Sequence, residues 1–242
     1  MKNHKAIQVH SLSKRFGGFV AVDGITFDVE RGEIFGFLGA NGAGKTTAIK
    51  MLIGLSRPSA GEASIAGYDV YKETEQIKEN IGYMSQRFSL YEDLTVRQNI
   101  RFYGGIYGLS RKEIQTRTDE IIDQLKLGHH ARKVVADLPL GWKQRLAFAV
   151  ASVHHPAIIF MDEPTGGVDP ATRRQFWEMI YEAADQGTTI FVTTHYMDEA
   201  EYCDRISIMV AGKMEALGTP RELKNQFDVV SMDDVFLKLA RT

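Results

Sequence analysis

The stretch Ile34-Phe35-Gly36-Phe37-Leu38-Gly39-Ala40-Asn41-Gly42-Ala43-Gly44-Lys45-Thr46-Thr47 decides the fold. Its first five residues form a β-type apolar run, and from Gly44 the pattern is helical until a stop at Gly54. A glycine-rich loop therefore follows a strand and opens a helix. Within it, Gly39 to Thr46 fits G-x-x-x-x-G-K-[ST], in which glycines let backbone N–H groups converge on phosphate oxygens at a helix N-terminus. The spacing predicts that Lys45 reaches β and γ phosphates. Thr46 is placed to offer its hydroxyl to Mg²⁺, whose octahedron needs further oxygens and the substrate's phosphates. Gly39, Ala40, Asn41, Gly42, Ala43, Gly44, Lys45, Thr46 and Thr47 are the candidate nucleotide-binding residues, and ATP with Mg²⁺ is the expected ligand pair.

Further along, Ala157-Ile158-Ile159-Phe160-Met161 is an apolar run that delivers Asp162 and Glu163, as a buried strand does at the carboxyl edge of a sheet. Asp162 suits Mg²⁺ and its waters. Glu163, one residue on, points the other way or starts the turn, and so is placed to polarise an attacking water.

Short β-type runs at 7–9 and 24–29 precede the quoted stretch, and their expected pairing is antiparallel. From about Thr95 to Val153 the pattern is almost wholly helical, with helices expected over 96–107, 111–127 and 141–153. After Pro156 strands return in alternation with helices: a strand at 157–161, a helix from Pro170, a strand at 188–193, a helix near Met197 and a strand at 206–210. A helix over 232–240, entered through Ser231 as N-cap, closes the pattern. The fold class expected is α/β: a P-loop NTPase core with a mostly parallel sheet flanked by helices, N-terminal antiparallel strands and an inserted α-helical subdomain. Residues 1–94 and 156–242 are expected to form the catalytic core, and 95–155 the helical subdomain.

Composition excludes other classes. The chain has 242 residues, 44% hydrophobic and 25% charged, with a formal net charge of −2, which offers no global pull toward nucleic acid. No apolar run approaches the roughly 18–20 residues needed to cross a bilayer, and Met1-Lys2-Asn3-His4-Lys5 lacks the apolar core of a signal peptide. The expected location is cytoplasmic. The single cysteine, Cys203, excludes an intrachain disulfide and reads as a buried, inert thiol. His129-His130 and His154-His155 lack accompanying metal-ligand partners and read as ordinary helix-end residues.

With these motifs in this order, the chain resembles the nucleotide-binding subunit of an ABC transporter over essentially its whole length. The resemblance implies that Phe16, in Lys14-Arg15-Phe16-Gly17, stacks on the adenine. It implies that Gln86, in Tyr83-Met84-Ser85-Gln86, meets Mg²⁺ or the lytic water, and that His195, after Phe191-Val192-Thr193-Thr194, contacts the γ-phosphate. Catalysis is thereby assigned to Glu163, His195 and Gln86, and the metal to Thr46, Gln86 and, through water, Asp162. Gly166-Gly167-Val168-Asp169 matches the segment that crosses between two such subunits, so a second nucleotide-binding subunit is implied, as a homodimer or a heterodimer.

The chain departs from the family where the signature Leu-Ser-Gly-Gly-Gln is replaced by Leu138-Pro139-Leu140-Gly141-Trp142, followed by a matching Lys143-Gln144-Arg145. The serine hydroxyl is absent, while the amides of Leu140, Gly141 and Trp142 and the helix dipole remain for the partner's γ-phosphate. A lost hydrogen bond to a charged group is worth about 1.5–3 kcal/mol, which predicts an ATP sandwich weaker by about ten- to a hundredfold. Peripheral segments (138–145, 195–201 and 230–238) resemble exporters of drugs, antibiotics or lipids. The implied partner is a separate transmembrane permease, which holds the chain peripherally on the inner face of the membrane and receives 88–94. Two other readings are a soluble ATPase of this type acting on ribosomes or DNA, and a scaffold that binds nucleotide without hydrolysis. The first lacks fused cores or basic coiled-coil insertions here; Glu163 and His195 argue against the second.

Overall fold

Glycine and proline cut the chain into short segments whose apolar residues alternate in strands and recur every three to four residues in helices. The computed structural model describes residues 5–86 and 90–240. In chain order, β1 (Lys5–Phe16), β2 (Phe19–Glu30) and β3 (Ile34–Gly39) lead into α1 (Lys45–Leu52). Then come β4 (Ala60–Ile65), β5 (Tyr68–Asp69), α2 (Thr74–Asn80) and β6 (Ile81–Met84). Three helices follow: α3 (Val96–Ile106), α4 (Arg111–Gln124) and α5 (Leu140–Ala151). The remainder is β7 (Ile158–Asp162), α6 (Pro170–Asp185), β8 (Thr189–Thr194), β9 (Arg205–Val210), β10 (Lys213–Gly218), α7 (Pro220–Gln226) and α8 (Met232–Ala240).

Two sheets result. The smaller, β2-β1-β4-β5, is antiparallel. The larger has order β10-β9-β3-β8-β7-β6 and is parallel except for its β9–β10 edge. Its central strands are buried on both faces, and period-two alternation sorts their residues between two apolar layers. Phe35, Phe37, Phe160 and Phe191 face the antiparallel sheet and α1, where Phe27 stacks on Phe35 with centroids 5.4 Å apart. Ile34, Leu38, Ile159, Met161, Ile190 and Val192 face Phe148, Phe176, Trp177 and Ile180 on α5 and α6.

A third apolar cluster joins Val96, Ile100, Ile121, Ile122, Leu146 and Val150 across α3, α4 and α5. Capping boxes start two of these helices: Thr95 with Gln98, and Ser110 with Glu113. Helix α5 serves two clusters, since Ala147, Phe148 and Ala151 face the sheet while Leu146, Ala149 and Val150 face the helices. A ring pair seals this seam. His154 stacks on Tyr107 at 3.7 Å and 12°, and its Nε2 lies 3.0 Å from the Ile81 carbonyl. A carbonyl only accepts, so Nε2 carries the hydrogen, and burial, which lowers the imidazole pKa to about 4, keeps it neutral at pH 7. Ser231 caps α8 as expected, with its hydroxyl accepting from Asp234 N at 3.2 Å. One expectation needs correcting: the helix near Met197 is a 3₁₀ segment, Met197–Tyr202, shaped by the buried Met197, Glu199 and Ala200.

Candidate nucleotide-binding site

Strands β3, β8 and β7 are parallel neighbours, so their carboxyl ends bring the phosphate loop, Thr193–His195 and Asp162–Glu163 to one edge. The loop's glycines are required by close approach. A Cβ on Gly39 would sit 2.4 Å from Met209 O; one on Gly44, whose φ is +104°, would sit 2.4 Å from Ala21 O. Gly44 caps α1, so the first amides of that helix are free of intrahelical partners and open toward the loop.

A cleft of about 350 Å³ lies there, bordered by Asn41, Gly42, Gly44, Lys45, Thr46, Thr47, Gln86 and Glu163, with Ala21 and Phe19 at its far side. Lys45 is 4% exposed; its Nζ donates to Gly39 O at 2.7 Å and Ala40 O at 3.1 Å, and lies 3.3 Å from Glu163 Oε1. The other oxygen, Oε2, accepts from Gln86 Nε2 at 3.1 Å and has His195 Nδ1 at 3.1 Å, close but off line for a hydrogen bond. Glu163 thus gathers the cation, the amide and the imidazole. It can do so because its φ of +50° turns the chain out of β7, which resolves the two orientations open from sequence in favour of the turn.

Nothing in the sequence marks Thr193 as a site residue, yet it holds both acids. Its Oγ1 donates to Asp162 Oδ1 at 2.6 Å and accepts from Glu163 N at 3.1 Å. It sits inside an apolar strand, where a threonine is statistically ordinary. Burial, and then the nearby charge of Asp162, push the Tyr83 phenol up to about 12, so it stays neutral beside the site.

Other expected residues lie elsewhere. Phe16 is exposed at the β1–β2 hairpin, with Lys14 Nζ 5.1 Å from its ring, and Phe19, its cross-strand partner, borders the cleft instead. The signal for Phe19 was an aromatic three residues on in the same hairpin. Leu140, Gly141, Trp142 and Asp169 line a second pocket of about 430 Å³ that shares no lining residue with the first. Of the three amides expected to be open there, Trp142 N is engaged with Pro139 O at 3.0 Å, because α5 begins with a tight turn; Leu140 and Gly141 keep theirs. Gly141 lets α5 approach α6, since a Cβ there would meet Thr172 Cγ2 at 2.5 Å. Asp169 is the N-cap of α6, accepting from Ala171 N and Thr172 N at 3.0 Å each. The Thr172 hydroxyl and these amides hold its carboxyl below the usual range.

Phe88 lies outside the described residues; within 90–94, Tyr91 is tied to α3 by Asn99, which exchanges 2.9 Å bonds with its N–H and carbonyl. Cys203 is buried, and burial pushes its thiol up, which keeps it inert. A roomier groove, about 620 Å³, opens on the solvent side of the antiparallel sheet, but it has no glycine loop and no converging charges of the kind that surround Lys45.

The residues present fit a nucleoside triphosphate and its magnesium ion. Gly39 and Gly44 pack the loop against neighbouring backbone too closely for any side chain, a buried ammonium faces the cleft, and Thr46, Asp162 and Gln86 supply hard oxygen donors of the sort Mg²⁺ takes alongside phosphates.

Comparison with known proteins agrees. The family described as "ABC transporter" matches residues 22–166. The chain is 49% identical over 220 residues to "Probable multidrug ABC transporter ATP-binding protein YbhF" of Escherichia coli (strain K12), covering 91% of the chain and 38% of that protein. The chain therefore spans well under half of that relative's length. It is 36% identical over 245 residues to "Linearmycin resistance ATP-binding protein LnrL" of Bacillus subtilis (strain 168), covering 98% of the chain and 79% of that protein. Among solved structures, an "ATP binding subunit of ABC transporter" superposes with a TM-score of 0.86 at 31% identity, covering 97% of this chain and 99% of that one.

Proposed function

Because the chain belongs to the ABC transporter family, whose ATP-binding fold it shares, we propose that it hydrolyses ATP to power export through a separate transmembrane permease. The observation that carries this reading is the convergence of Lys45, Gln86 and His195 on the Glu163 carboxylate beside the phosphate loop. The amides of the loop and of α1, with Lys45, bind the β and γ phosphates. Thr46, Gln86 and, through water, Asp162 hold Mg²⁺, which when bound neutralises phosphate charge. Only Oε1 of Gln86 can ligate a cation, since its Nε2 carries hydrogens. Glu163 accepts a proton from the attacking water, and His195 contacts the γ-phosphate. Either Phe16 or Phe19 stacks on the base. Phe19 is favoured by its place at the cleft.

Two pockets without a common lining residue support a composite site, in which one chain's phosphate loop meets another's α5 terminus and Asp169. The partner is a second nucleotide-binding subunit, of the same or another kind. In this reading 95–155 is the helical subdomain, and 90–94 lies on the surface that receives the permease. Among the described residues no helix is long and apolar enough to cross a membrane, so the permease supplies the membrane contact and the chain sits peripherally on its inner face. Drug- or antibiotic-like cargo is supported by the names of the two relatives above.

The test is Glu163→Gln. We expect ATP binding, measured by calorimetry, to persist while phosphate release falls to background. Undiminished release would remove Glu163 from the chemistry and the proposal with it.

A further inference from the structure

Behind His195 lies a chain of contacts that the reaction above does not use. Glu199, in the 3₁₀ segment after β8, is fully buried. Its Oε1 accepts from Thr165 Oγ1 at 2.5 Å and lies 3.5 Å from Arg173 Nε, while its Oε2 has no hydrogen-bond partner. Arg173 also reaches Asp198 Oδ2 at 3.2 Å, and its guanidinium lies 4.3 Å from the centre of the Tyr196 ring. That ring in turn is 4.1 Å from the imidazole of His195. In the other direction Thr165 follows Pro164, whose carbonyl accepts from the buried Nε2 of Gln144 on α5 at 2.6 Å.

A carboxylate out of water is costly unless paired, and an apolar residue of similar size would fill the same space more cheaply. What such a residue could not do is attract Arg173, whose Nε lies 3.5 Å from Glu199 Oε1 as an ion pair without a hydrogen bond between them. Arg173 has two acidic neighbours: the exposed Asp198 takes its hydrogen bond, and the buried Glu199 attracts it by charge with little screening by solvent. The guanidinium then supports the Tyr196 ring, and the ring supports His195. The same carboxylate holds the Thr165 hydroxyl, one residue from the carbonyl that grips α5.

We propose that Glu199 is a positioning residue for hydrolysis: it sets His195 through Arg173 and Tyr196, and ties that setting through Thr165 and Pro164 to Gln144 on α5. The helix that faces a partner's nucleotide is thereby mechanically joined to the histidine that serves this chain's own. This rests on the ATPase reading above, and the experiment separates the two.

The readout is ¹⁵N-histidine NMR of the full chain, with steady-state phosphate release and ADP affinity measured in parallel. In Glu199→Gln, which keeps the shape and the acceptor for Thr165, we expect the His195 signal to move while those of His10 and His129 stay. We expect kcat to fall at least tenfold with ADP affinity within twofold. Gln144→Ala should also move the His195 signal. Should Glu199→Gln fail to fold, Arg173→Lys, which leaves the buried carboxylate intact but removes the planar contact with Tyr196, is expected to move His195 in the same way. A His195 signal unmoved by the variant that folds, or all seven histidines moving together, overturns the proposal, as does an unchanged kcat. If the wild-type chain releases no phosphate, the ATPase reading fails, while the His195 signal still decides whether Glu199 positions it.

Discussion

A single hydroxyl sets both acids of the site. Thr193 donates to Asp162 and accepts from the backbone of Glu163, so β8 determines where β7 presents its carboxylates. Thr193→Val preserves volume and deletes both bonds, leaving buried Asp162 short of a donor. The loss of one hydrogen bond to a charged group amounts to about 1.5–3 kcal/mol. We expect kcat to drop by at least tenfold and ADP affinity to change far less, as measured by phosphate release and calorimetry. At this scale Gly39–Thr47, Asp162 and Glu163 stand out in the sequence because phosphate and metal binding call for those residue types at that spacing, whereas Gln86 and His195 are marked only by the resemblance to the family. Thr193 is marked by neither, because its role depends on which strand lies beside β7, and that is a matter of topology.

Elements obey the same division. Strands with a continuous apolar run, such as β3 and β7, stand out in the sequence, whereas β4 and β5 are too polar and too short to be read without their partners. β1 extends well beyond the expected 7–9 because β2 and β4 pair with its polar residues from both sides. Helix α2 buries only Ile77 and carries almost no periodic signal. The aromatic layer depends on Phe191, which has Phe27, Phe35, Phe37 and Phe160 within 5.2–6.0 Å. Phe191→Ala should cost about 3–5 kcal/mol, read as a lower midpoint in urea. The start of α5 gives a prediction of opposite sign. Pro139 offers no side-chain cap, and with Trp142 N engaged two amides remain. Pro139→Ser, placed in the Glu163→Gln background, should tighten ATP-driven dimerisation by about ten- to a hundredfold, as followed by sedimentation.

Over the whole molecule, the seam between α3, α5 and β6 is held by a neutral histidine. Burial lowers His154 from 6.5 to about 4; the Ile81 carbonyl opposes this and the neighbouring His155 adds to it. In the unfolded chain the imidazole takes a proton near its ordinary value, and in the folded chain only near 4. The unfolded state therefore binds more protons between these values, and the associated stability is present at neutral pH and lost as pH falls from about 6.5 to about 4. His154→Gln should be less stable than the wild type at pH 7, with the gap in melting temperature narrowing toward pH 4.

The order of strands in the larger sheet also bears on synthesis. β3, which carries the phosphate loop, lies between β8 and β9, and the first of these follows it by about 150 residues. At ribosomal rates of roughly 5–20 residues per second, the nascent loop waits some 8–30 s for a neighbour to pair with. The phosphate loop, made early, is thus among the last parts of the site to gain its neighbours. For that interval its apolar strand is unpaired, which leaves Ile34–Gly39 open to a ribosome-associated chaperone.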